Sequence, residues 1–254
     1  MFGLFKKKQQ TFNNAEIDRL TYAVGDVHGM FDQFCGLLEK IRLDAQSFRV
    51  TPRVVLLGDY IDRGPASSRV IDEILRMQSH IDAGRGWCEL EVLIGNHEWA
   101  MMNFLATGDA MWLKYGGDTC ATSYGVEVPF NLDFRSTAAA VREELRRRLP
   151  PQHRELIQRM KYLFQAGDYL FVHAGVSPKK PLADQGPETF LWIRDEFLST
   201  PRACDYVVVH GHTPTLEPVN QEWRIGVDTG AYETGVLTAV RLNGRQRDFI
   251  NIAN

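Results

Sequence analysis

No Cys-x-x-Cys pair occurs in this 254-residue sequence. Its four cysteines are widely separated: Cys35, Cys88, Cys120 and Cys204. The spacing argues against a zinc ribbon or a redox motif and predicts reduced thiols in a cytoplasmic protein. No apolar run is long enough to span a membrane, and the lysines of residues 6–8 follow the first apolar residues, the reverse of a signal peptide. We therefore expect residues 1–18 to form a flexible tail without stable membrane association.

The sequence also lacks an excess of basic residues. Hydrophobic residues make up 44% of the chain, charged residues make up 24%, and the formal net charge is −3. This composition is typical of a globular protein and lacks the positive charge of nucleic-acid-binding proteins, so we expect no nucleic-acid partner. The chain can bury one substantial core, and although its length alone would permit two domains, candidate site residues that run from Asp26 to His212 favour a single domain over residues 19–254.

Five short apolar segments each end in residues that are able to bind a metal ion. The residues at these ends are Asp26, His28, Asp59, Asn96, His97, His173 and His212. Because the carboxyl ends of the strands in an open α/β sheet meet at one edge, we expect these side chains to converge. Carboxylate, amide and imidazole ligands that include one shared carboxylate suit a two-metal site.

Helical spacing of apolar residues follows the first three of these segments, which predicts repeated βα units. Between residues 108 and 165 the only candidate strand covers residues 126–130. We interpret this stretch as a helical insertion beside the site, with the basic run at residues 146–148 on a solvated helix face. The remainder is rich in strands, with one predicted helix around residues 188–198. The predicted fold class is therefore α/β, with a central two-sheet β-sandwich flanked by helices.

Five motifs occur in a fixed order. They are Gly25-Asp-Val-His-Gly, Gly58-Asp-Tyr-Ile-Asp-Arg-Gly, Gly95-Asn-His-Glu, Val172-His-Ala-Gly and His210-Gly-His-Thr. In this order they resemble the calcineurin-like metallophosphoesterases, and more narrowly the phosphoprotein phosphatase branch in its bacterial and phage forms. The resemblance covers residues 21 to about 242. It implies a β-sandwich with a dimetal site on the loops at the strand ends.

The resemblance also implies the metal ligands. Asp26 and His28 would bind the first ion, Asp59 would bridge both ions, and Asn96, His173 and His212 would bind the second. We expect two divalent ions, manganese first, although iron or zinc suits the same ligands. Two such ions share a water and lower its pKa. The implied mechanism is in-line attack by the bridging hydroxide, without a phosphoenzyme.

His97 is implied to be the general acid that protonates the leaving oxygen, because it adjoins a ligand without needing to bind metal. Asp62 would orient His97 and keep it protonated, since a nearby carboxylate raises the pKa of an imidazole. His210 does not align with a ligand position. We therefore predict a structural role for His210.

Two arginines are expected to bind the substrate phosphate. The planar guanidinium of Arg63 can donate two parallel hydrogen bonds to two phosphate oxygens. Arg194 corresponds to the second phosphate-binding arginine of the family that the sequence resembles. Asn96 and Tyr232 are expected beside the same phosphate.

These residues predict a metal-dependent phosphomonoester hydrolase, and specifically a serine/threonine protein phosphatase whose substrate is a phosphorylated protein or a small phosphoester. A peptide is preferred because the motifs offer no evident adenine or pyrophosphate clamp and the chain has no net positive charge. The alternative is a symmetrical diadenosine tetraphosphatase, because those enzymes share these motifs. A non-catalytic phosphate-binding protein would be favoured if ligands had been lost, and none has.

Overall fold

A computed structural model describes residues 14–129 and 133–253. Within these ranges, the strands form two five-stranded sheets. The strands are β1 (Ile17–Val24), β2 (Arg53–Leu56), β3 (Glu89–Val92), β4 (Leu163–Ala166), β5 (Tyr169–Val172), β6 (Val207–His210), β7 (Val219–Asn220), β8 (Arg224–Gly226), β9 (Leu237–Gly244) and β10 (Gln246–Ile252). The first sheet has the order β10-β9-β1-β2-β3, and the second has the order β4-β5-β6-β8-β7. The predicted α/β class with two sheets is confirmed.

Each sheet has a parallel centre and antiparallel flanks. In the first sheet, β1, β2 and β3 are parallel, whereas β9 and β10 run antiparallel to their neighbours. In the second sheet, β5, β6 and β8 are parallel, and β4 and β7 are the antiparallel edges. Six parallel strands therefore deliver their C-terminal loops to the same end of the molecule.

The helices cover the outside of the sandwich. They are α1 (Phe31–Gln46), α2 (Ser67–Asp82), α3 (Asn96–Thr107), α4 (Gly117–Ser123), α5 (Phe134–Arg148), α6 (Pro151–Arg159), α7 (Pro187–Trp192), α8 (Asp195–Leu198) and α9 (Ala231–Thr234), with 3₁₀ helices at Ala110–Tyr115 and Leu182–Asp184. The predicted βα units correspond to β1-α1, β2-α2 and β3-α3. Gly108 ends α3 in the left-handed conformation, as expected for a C-terminal cap.

Side-chain alternation along the strands divides the core into two clusters. Tyr22 and Val54 face the helices and pack in one cluster with α1, α2 and α3. Their neighbours Ala23 and Val55 point the other way and pack with Phe171 and the rest of the second sheet. The two-residue period of a strand thus lets one sheet serve both layers.

The insertion between α3 and β4 is helical, as predicted. Residues 126–129 form no strand, and residue 130, the last of the candidate strand, lies outside the described part. Arg146 donates hydrogen bonds to the Leu105 carbonyl at the end of α3, and Arg147 and Arg148 pair with Glu144 on the surface. The basic run therefore belongs to a helix face, as predicted.

Three details differ from the sequence-based expectation. The tail was predicted to reach residue 18, but β1 starts at Ile17 because that side chain is buried; residues 1–13 lie outside the described part. Strands β4, β7 and β10 were not predicted, since they are short or have many exposed residues. The helix expected around residues 188–198 is two short helices.

In residues 14–129 and 133–253, no helix has the length and apolar character to cross a bilayer.

A candidate dimetal site with a phosphate cavity

Six buried polar side chains meet where the parallel strands end. Each follows one strand in order: Asp26 after β1, Asp59 after β2, Asn96 after β3, His173 after β5, His212 after β6 and Asp228 after β8. Each of the two sheets contributes three of these side chains. The site thus lies across the end of the sandwich.

Asp59 is the centre of this group. Its Oδ2 lies 3.7 Å from Nε2 of His28, 3.4 Å from Nε2 of His173 and 3.9 Å from Nε2 of His97. On the far side, Oδ1 of Asn96 lies 2.8 Å from His173 Nε2 and 2.8 Å from His212 Nδ1.

Two clusters of ligand-type atoms share the Asp59 carboxylate. Within the described residues, one consists of His28, Asp59 and His97, and the other of Asp59, His173 and His212; in each, the ligand atoms lie within 4.8 Å of one another. A shared carboxylate between two such clusters is the arrangement that a pair of metal ions requires.

Backbone carbonyls fix two of the imidazoles. His28 Nδ1 lies 2.9 Å from the Ile61 oxygen, and His173 Nδ1 lies 2.9 Å from the Leu57 oxygen. In the neutral form of each ring, the nitrogen that donates to the carbonyl carries the proton, so Nε2 is the atom with the lone pair that can bind a metal ion. This second bond is how proteins orient a histidine for metal binding.

The pKa values of the buried histidines and aspartates are shifted in ways that favour the binding of cations. Burial lowers the pKa of His28 to about 3 and that of His212 to about 2, so both rings are neutral, the form that binds metal. Burial, with repulsion from Asp228 and Asp59, raises the pKa of Asp26 well above its usual range. Burial also acts to raise the pKa of Asp59, but His173 and His97 hold it well below the usual range. A bound cation would offset this concentrated negative charge.

Unpaired polar atoms provide the test of fit. Asp26 Oδ1 and His212 Nε2 are buried and have no hydrogen-bond partner among the described residues. Buried polar atoms without a partner are costly, and a coordinated ion removes that cost. The residues present therefore fit a pair of divalent metal ions.

Glu98 connects, through hydrogen bonds, the loops that carry the candidate metal ligands Asp59 and Asn96. Its buried carboxylate accepts hydrogen bonds from the backbone N–H groups of Gly95, Asp59, Tyr60 and Ile61 at 2.7–3.2 Å. Burial and the charge of Asp59 raise the pKa of Glu98 to about 7. One side chain thereby joins the β2 loop to the start of α3.

Backbone strain is concentrated at the site. Of the seven described non-glycine residues with positive φ, five belong to the predicted site: His28, Asp59, Asp62, Arg63 and His212. Such conformations persist only where the surroundings hold them, and they cluster at functional sites.

His97 belongs to a buried hydrogen-bonded chain. Its Nδ1 lies 2.6 Å from Oδ2 of Asp62, and the same oxygen accepts a 2.8 Å bond from the indole N–H of Trp112. Burial lowers the pKa of His97, but Asp59 and Asp62 more than compensate and raise it to about 9. His97 therefore carries a proton near neutral pH.

Comparison with known families agrees with this geometry. The model of the calcineurin-like phosphoesterases matches residues 20–236. The chain belongs to this family. The family comprises metal-dependent phosphoester hydrolases and typically contains a dimetal centre, which the two clusters that share Asp59 fit. The finer resemblance to the phosphoprotein phosphatase branch is not established by this match.

Two similar phosphoesterases are asymmetrical bis(5'-nucleosyl)-tetraphosphatases named PrpE. That of Oceanobacillus iheyensis is 26% identical over 253 residues, covering 91% of this chain and 91% of its own length. That of Halalkalibacterium halodurans is 25% identical, covering 86% of this chain and 88% of its own length. Among solved structures, a cold-active protein tyrosine phosphatase matches with a TM-score of 0.58 and 18% identity, over 96% of this chain and 85% of that one. At this identity the structural match shows the fold alone.

The phosphoesterase site opens into a cavity of about 530 Å³. Its floor contains His28, Asp59, Asn96, His97 and His212, and its walls include Arg63, Arg194, Trp112, Tyr115, Trp192 and Tyr232. The Arg63 guanidinium lies 4.3 Å from the Tyr232 ring centre, and Arg194 donates a 3.3 Å bond to the Thr213 hydroxyl. The cavity thus joins candidate phosphate ligands to aromatic surface.

The structure brings the predicted site residues together. Asp26 and His173 lie beneath the cavity and Asp62 lies behind His97, while the other predicted residues line it. His210 lies apart from both clusters: its Nδ1 is 3.0 Å from the Gly211 oxygen and its Nε2 is 3.2 Å from Arg224. These contacts favour the structural role predicted for His210. The catalytic and ligand roles of the others are taken up below.

Three neighbouring residues were given no role from the sequence. Asp228 follows a strand, as the predicted ligands do, but it lies outside the five motifs. Glu98 was quoted only as part of a motif. Trp112 lies in the helical insertion and has no sequence signal that connects it to Asp62.

Proposed function

We propose that this phosphoesterase hydrolyses the phosphoanhydride chain of dinucleoside polyphosphates. The cavity carries the proposal, because it places aromatic walls beside the candidate phosphate ligands. Its volume of about 530 Å³ lies in the range of small-molecule sites. Similarity to asymmetrical tetraphosphatases over nearly the full length supports the same class.

The aromatic side chains offer what a nucleobase requires. Trp192 is 43% exposed and Tyr115 is 57% exposed, although both are large rings on the rim of the cavity. Trp99 packs edge-on against Trp192, with ring centres 6.4 Å apart. Stacking on an exposed ring is a common way to hold a base. The sequence-based preference for a peptide assumed that no adenine clamp was present.

Asp26, His28, Asp59, Asn96, His173 and His212 would hold the two ions, with manganese as the first ion to test. When bound, the ions supply charge neutralisation and a water of lowered pKa. Asn96 lies on the cavity floor and would also contact the phosphate.

The chain's own side chains handle the remainder of the reaction. Arg63 and Arg194 would bind the non-bridging oxygens of the phosphate and stabilise the charge that develops on them. Tyr232 would hold the Arg63 guanidinium by contact with its ring. His97, oriented by Asp62, would give its proton to the leaving oxygen.

A serine/threonine phosphatase activity is the second candidate, and the His97–Asp62 pair favours it. A serine or threonine alkoxide is a much poorer leaving group than a phosphate oxygen, so it gains more from a general acid. The strong hydrogen bond between these buried groups is therefore most useful on a phosphomonoester.

A substrate comparison distinguishes the two candidates. The manganese-loaded protein is assayed for kcat/KM with diadenosine tetraphosphate and with a phosphothreonine peptide at equal ionic strength. We expect the higher value for the nucleotide, with products of unequal size. Two identical products would indicate symmetrical cleavage, and a higher value for the peptide would overturn the proposal.

The aromatic rim has its own test. Trp192→Ala should raise KM for diadenosine tetraphosphate about tenfold, because a stacking contact is lost. The same change should leave KM for glycerol 2-phosphate, which has no ring, unaltered. Trp87→Ala, which does not line the cavity, is the matched control.

A further inference from the structure

Trp112 reaches the centre of the site from outside the strand-end loops. It lies in the 3₁₀ helix Ala110–Tyr115, and its indole N–H donates a 2.8 Å bond to Oδ2 of Asp62. The same oxygen is 2.6 Å from His97 Nδ1. All three side chains are at least 95% buried. The orientation of His97 therefore depends on a carboxylate that two donors hold.

The Trp112 ring is itself fixed in place. It packs against Phe104 with ring centres 5.0 Å apart. A Cβ at Gly117 would lie 2.5 Å from the ring, so only glycine allows this approach. The Asp109 side chain accepts the Met111 N–H at 3.1 Å and caps the start of the 3₁₀ helix. The indole N–H thus points at Asp62 from a rigid frame.

The same segment also holds the next residue of the turn. The Gly116 carbonyl, one residue after the 3₁₀ helix, accepts a 3.2 Å hydrogen bond from the Arg63 N–H. Asp62 and Arg63 have φ values of 72° and 67°, which L-residues adopt only when held. The insertion therefore supports the turn that carries both side chains.

We propose that Trp112 is a positioning residue for proton transfer by His97. Its N–H fixes Asp62, and Asp62 in turn aims His97 Nε2 at the leaving oxygen. The inference rests on the proposed role of His97 as the general acid, and it holds for either substrate class.

The proton transfer is balanced without Trp112 changing state. As the bond between phosphorus and the leaving oxygen breaks, phosphorus bonds to the oxygen of an attacking water that has lost a proton. The electron pair of the broken bond stays on the leaving oxygen, which takes the proton from His97 Nε2. The imidazole becomes neutral, keeps the Nδ1 proton that it donates to Asp62, and regains at Nε2 a proton equivalent to the one that the water lost. Trp112 keeps its N–H throughout.

A series of aryl phosphates whose phenols differ in pKa isolates this role. In the manganese-loaded protein, Trp112→Phe should lower kcat about 10- to 100-fold for the poorest leaving group, the usual effect of losing one hydrogen bond to a charged group. The loss should shrink as the leaving group improves, and KM should stay the same. His97→Asn should show the same trend, and the double variant should depend on the leaving group no more steeply than His97→Asn.

Two features keep the test independent of stability. The ratio of rates for two substrates within one preparation does not depend on the fraction of folded protein. The proton on His97 Nδ1, in a 2.6 Å hydrogen bond to Asp62, should also give a downfield proton resonance in the metal-free protein. Trp112→Phe should move or broaden that resonance, whereas Trp87→Phe, outside the cavity, should leave both readouts unchanged.

The outcomes separate the two proposals. A graded loss in His97→Asn with an equal loss at all leaving groups in Trp112→Phe would overturn the role of Trp112 alone. An equal loss at all leaving groups in His97→Asn would overturn the acid role of His97, and the positioning role of Trp112 would fall with it.

Discussion

Arg63 and Arg194 line one cavity but differ in how firmly they are held. Arg63 is half-buried, its N–H bonds to the Gly116 carbonyl, and its guanidinium lies over Tyr232. Arg194 is exposed, and its guanidinium donates a hydrogen bond to the Thr213 hydroxyl. A preorganised charge contributes more to catalysis than one that must be ordered first.

We therefore predict that Arg63→Lys lowers kcat/KM more than Arg194→Lys does. A lysine ammonium cannot form the two parallel bonds of a guanidinium, so the loss at Arg63 should be about 10²-fold. At Arg194 it should stay below about tenfold, because the exposed side chain is less ordered. The assay is hydrolysis of p-nitrophenyl phosphate, with Arg76→Lys on the surface of α2 as the control. Equal losses at both positions would contradict this ranking.

Single residues could be predicted from the sequence where a strand ends in a motif. Asp59, Asn96 and His173 follow apolar segments, and the parallel strands carry them to one edge. Trp112 could not be predicted, since its bond to Asp62 depends on how an irregular helical insertion packs. That packing follows from contacts such as the one with Gly117, which no periodic pattern encodes.

Among the structural elements, the strand-end loops interlock too closely for a methyl group. A Cβ at Gly211 would lie 2.0 Å from Oδ1 of Asp26, and one at Gly95 would lie 2.1 Å from Oδ1 of Asp59. The next residue contacts the same carboxylate, since the His212 N–H donates a 3.0 Å hydrogen bond to Oδ2 of Asp26. These glycines let loops from both sheets approach one another.

Gly211→Ala should therefore displace the Asp26 carboxylate. We expect fewer metal ions per chain by elemental analysis and a loss of about 1–3 kcal/mol in the free energy of unfolding, as for overpacking elsewhere. Gly186→Ala is the matched control, because no atom lies within 4 Å of the added methyl and its change should stay within about 0.5 kcal/mol. Full metal content in Gly211→Ala would contradict this prediction, because it would show that the loop accommodates the methyl group without displacing the Asp26 carboxylate.

The elements were predictable to different degrees. The three βα units follow from strong apolar periodicity and clear glycine signals. The antiparallel strand β10 has mostly exposed or half-buried side chains and gains its order from pairing with β9 over seven residue pairs. The helix expected around residues 188–198 is interrupted at Ile193 and Arg194, where the extended Ile193 backbone ends α7. Such effects arise from tertiary pairing, which a single sequence does not display.

In the molecule as a whole, the candidate metal site joins the two sheets. The first sheet supplies Asp26, Asp59 and Asn96, and the second supplies His173 and His212. A ligand that binds only the folded state stabilises every part that must be in place to form its site. The single domain predicted over residues 19–254 therefore has a direct thermodynamic test.

Metal should stabilise both sheets together. We predict that manganese raises the midpoint of thermal unfolding in one transition, seen equally by far-ultraviolet circular dichroism and by tryptophan fluorescence. At one hundred times the dissociation constant the gain is about 2.7 kcal/mol for one site. Asp59→Asn should abolish most of the shift because both clusters lose their shared carboxylate, whereas Asp82→Asn on the surface should not. Two separated transitions would argue for two independently folding units.

The pairing of β9 with β1 bears on when the protein can mature during its synthesis. β9 begins at Leu237, yet it lies directly beside β1 in the first sheet. The nascent chain therefore carries an unpaired β1 edge on the ribosome until nearly all of the residues described here have been translated. Since His212 also emerges late, a partly translated chain holds an incomplete set of candidate ligands. Completion of the first sheet thus requires nearly all of the described residues, and unpaired strand edges of that kind are what chaperones protect.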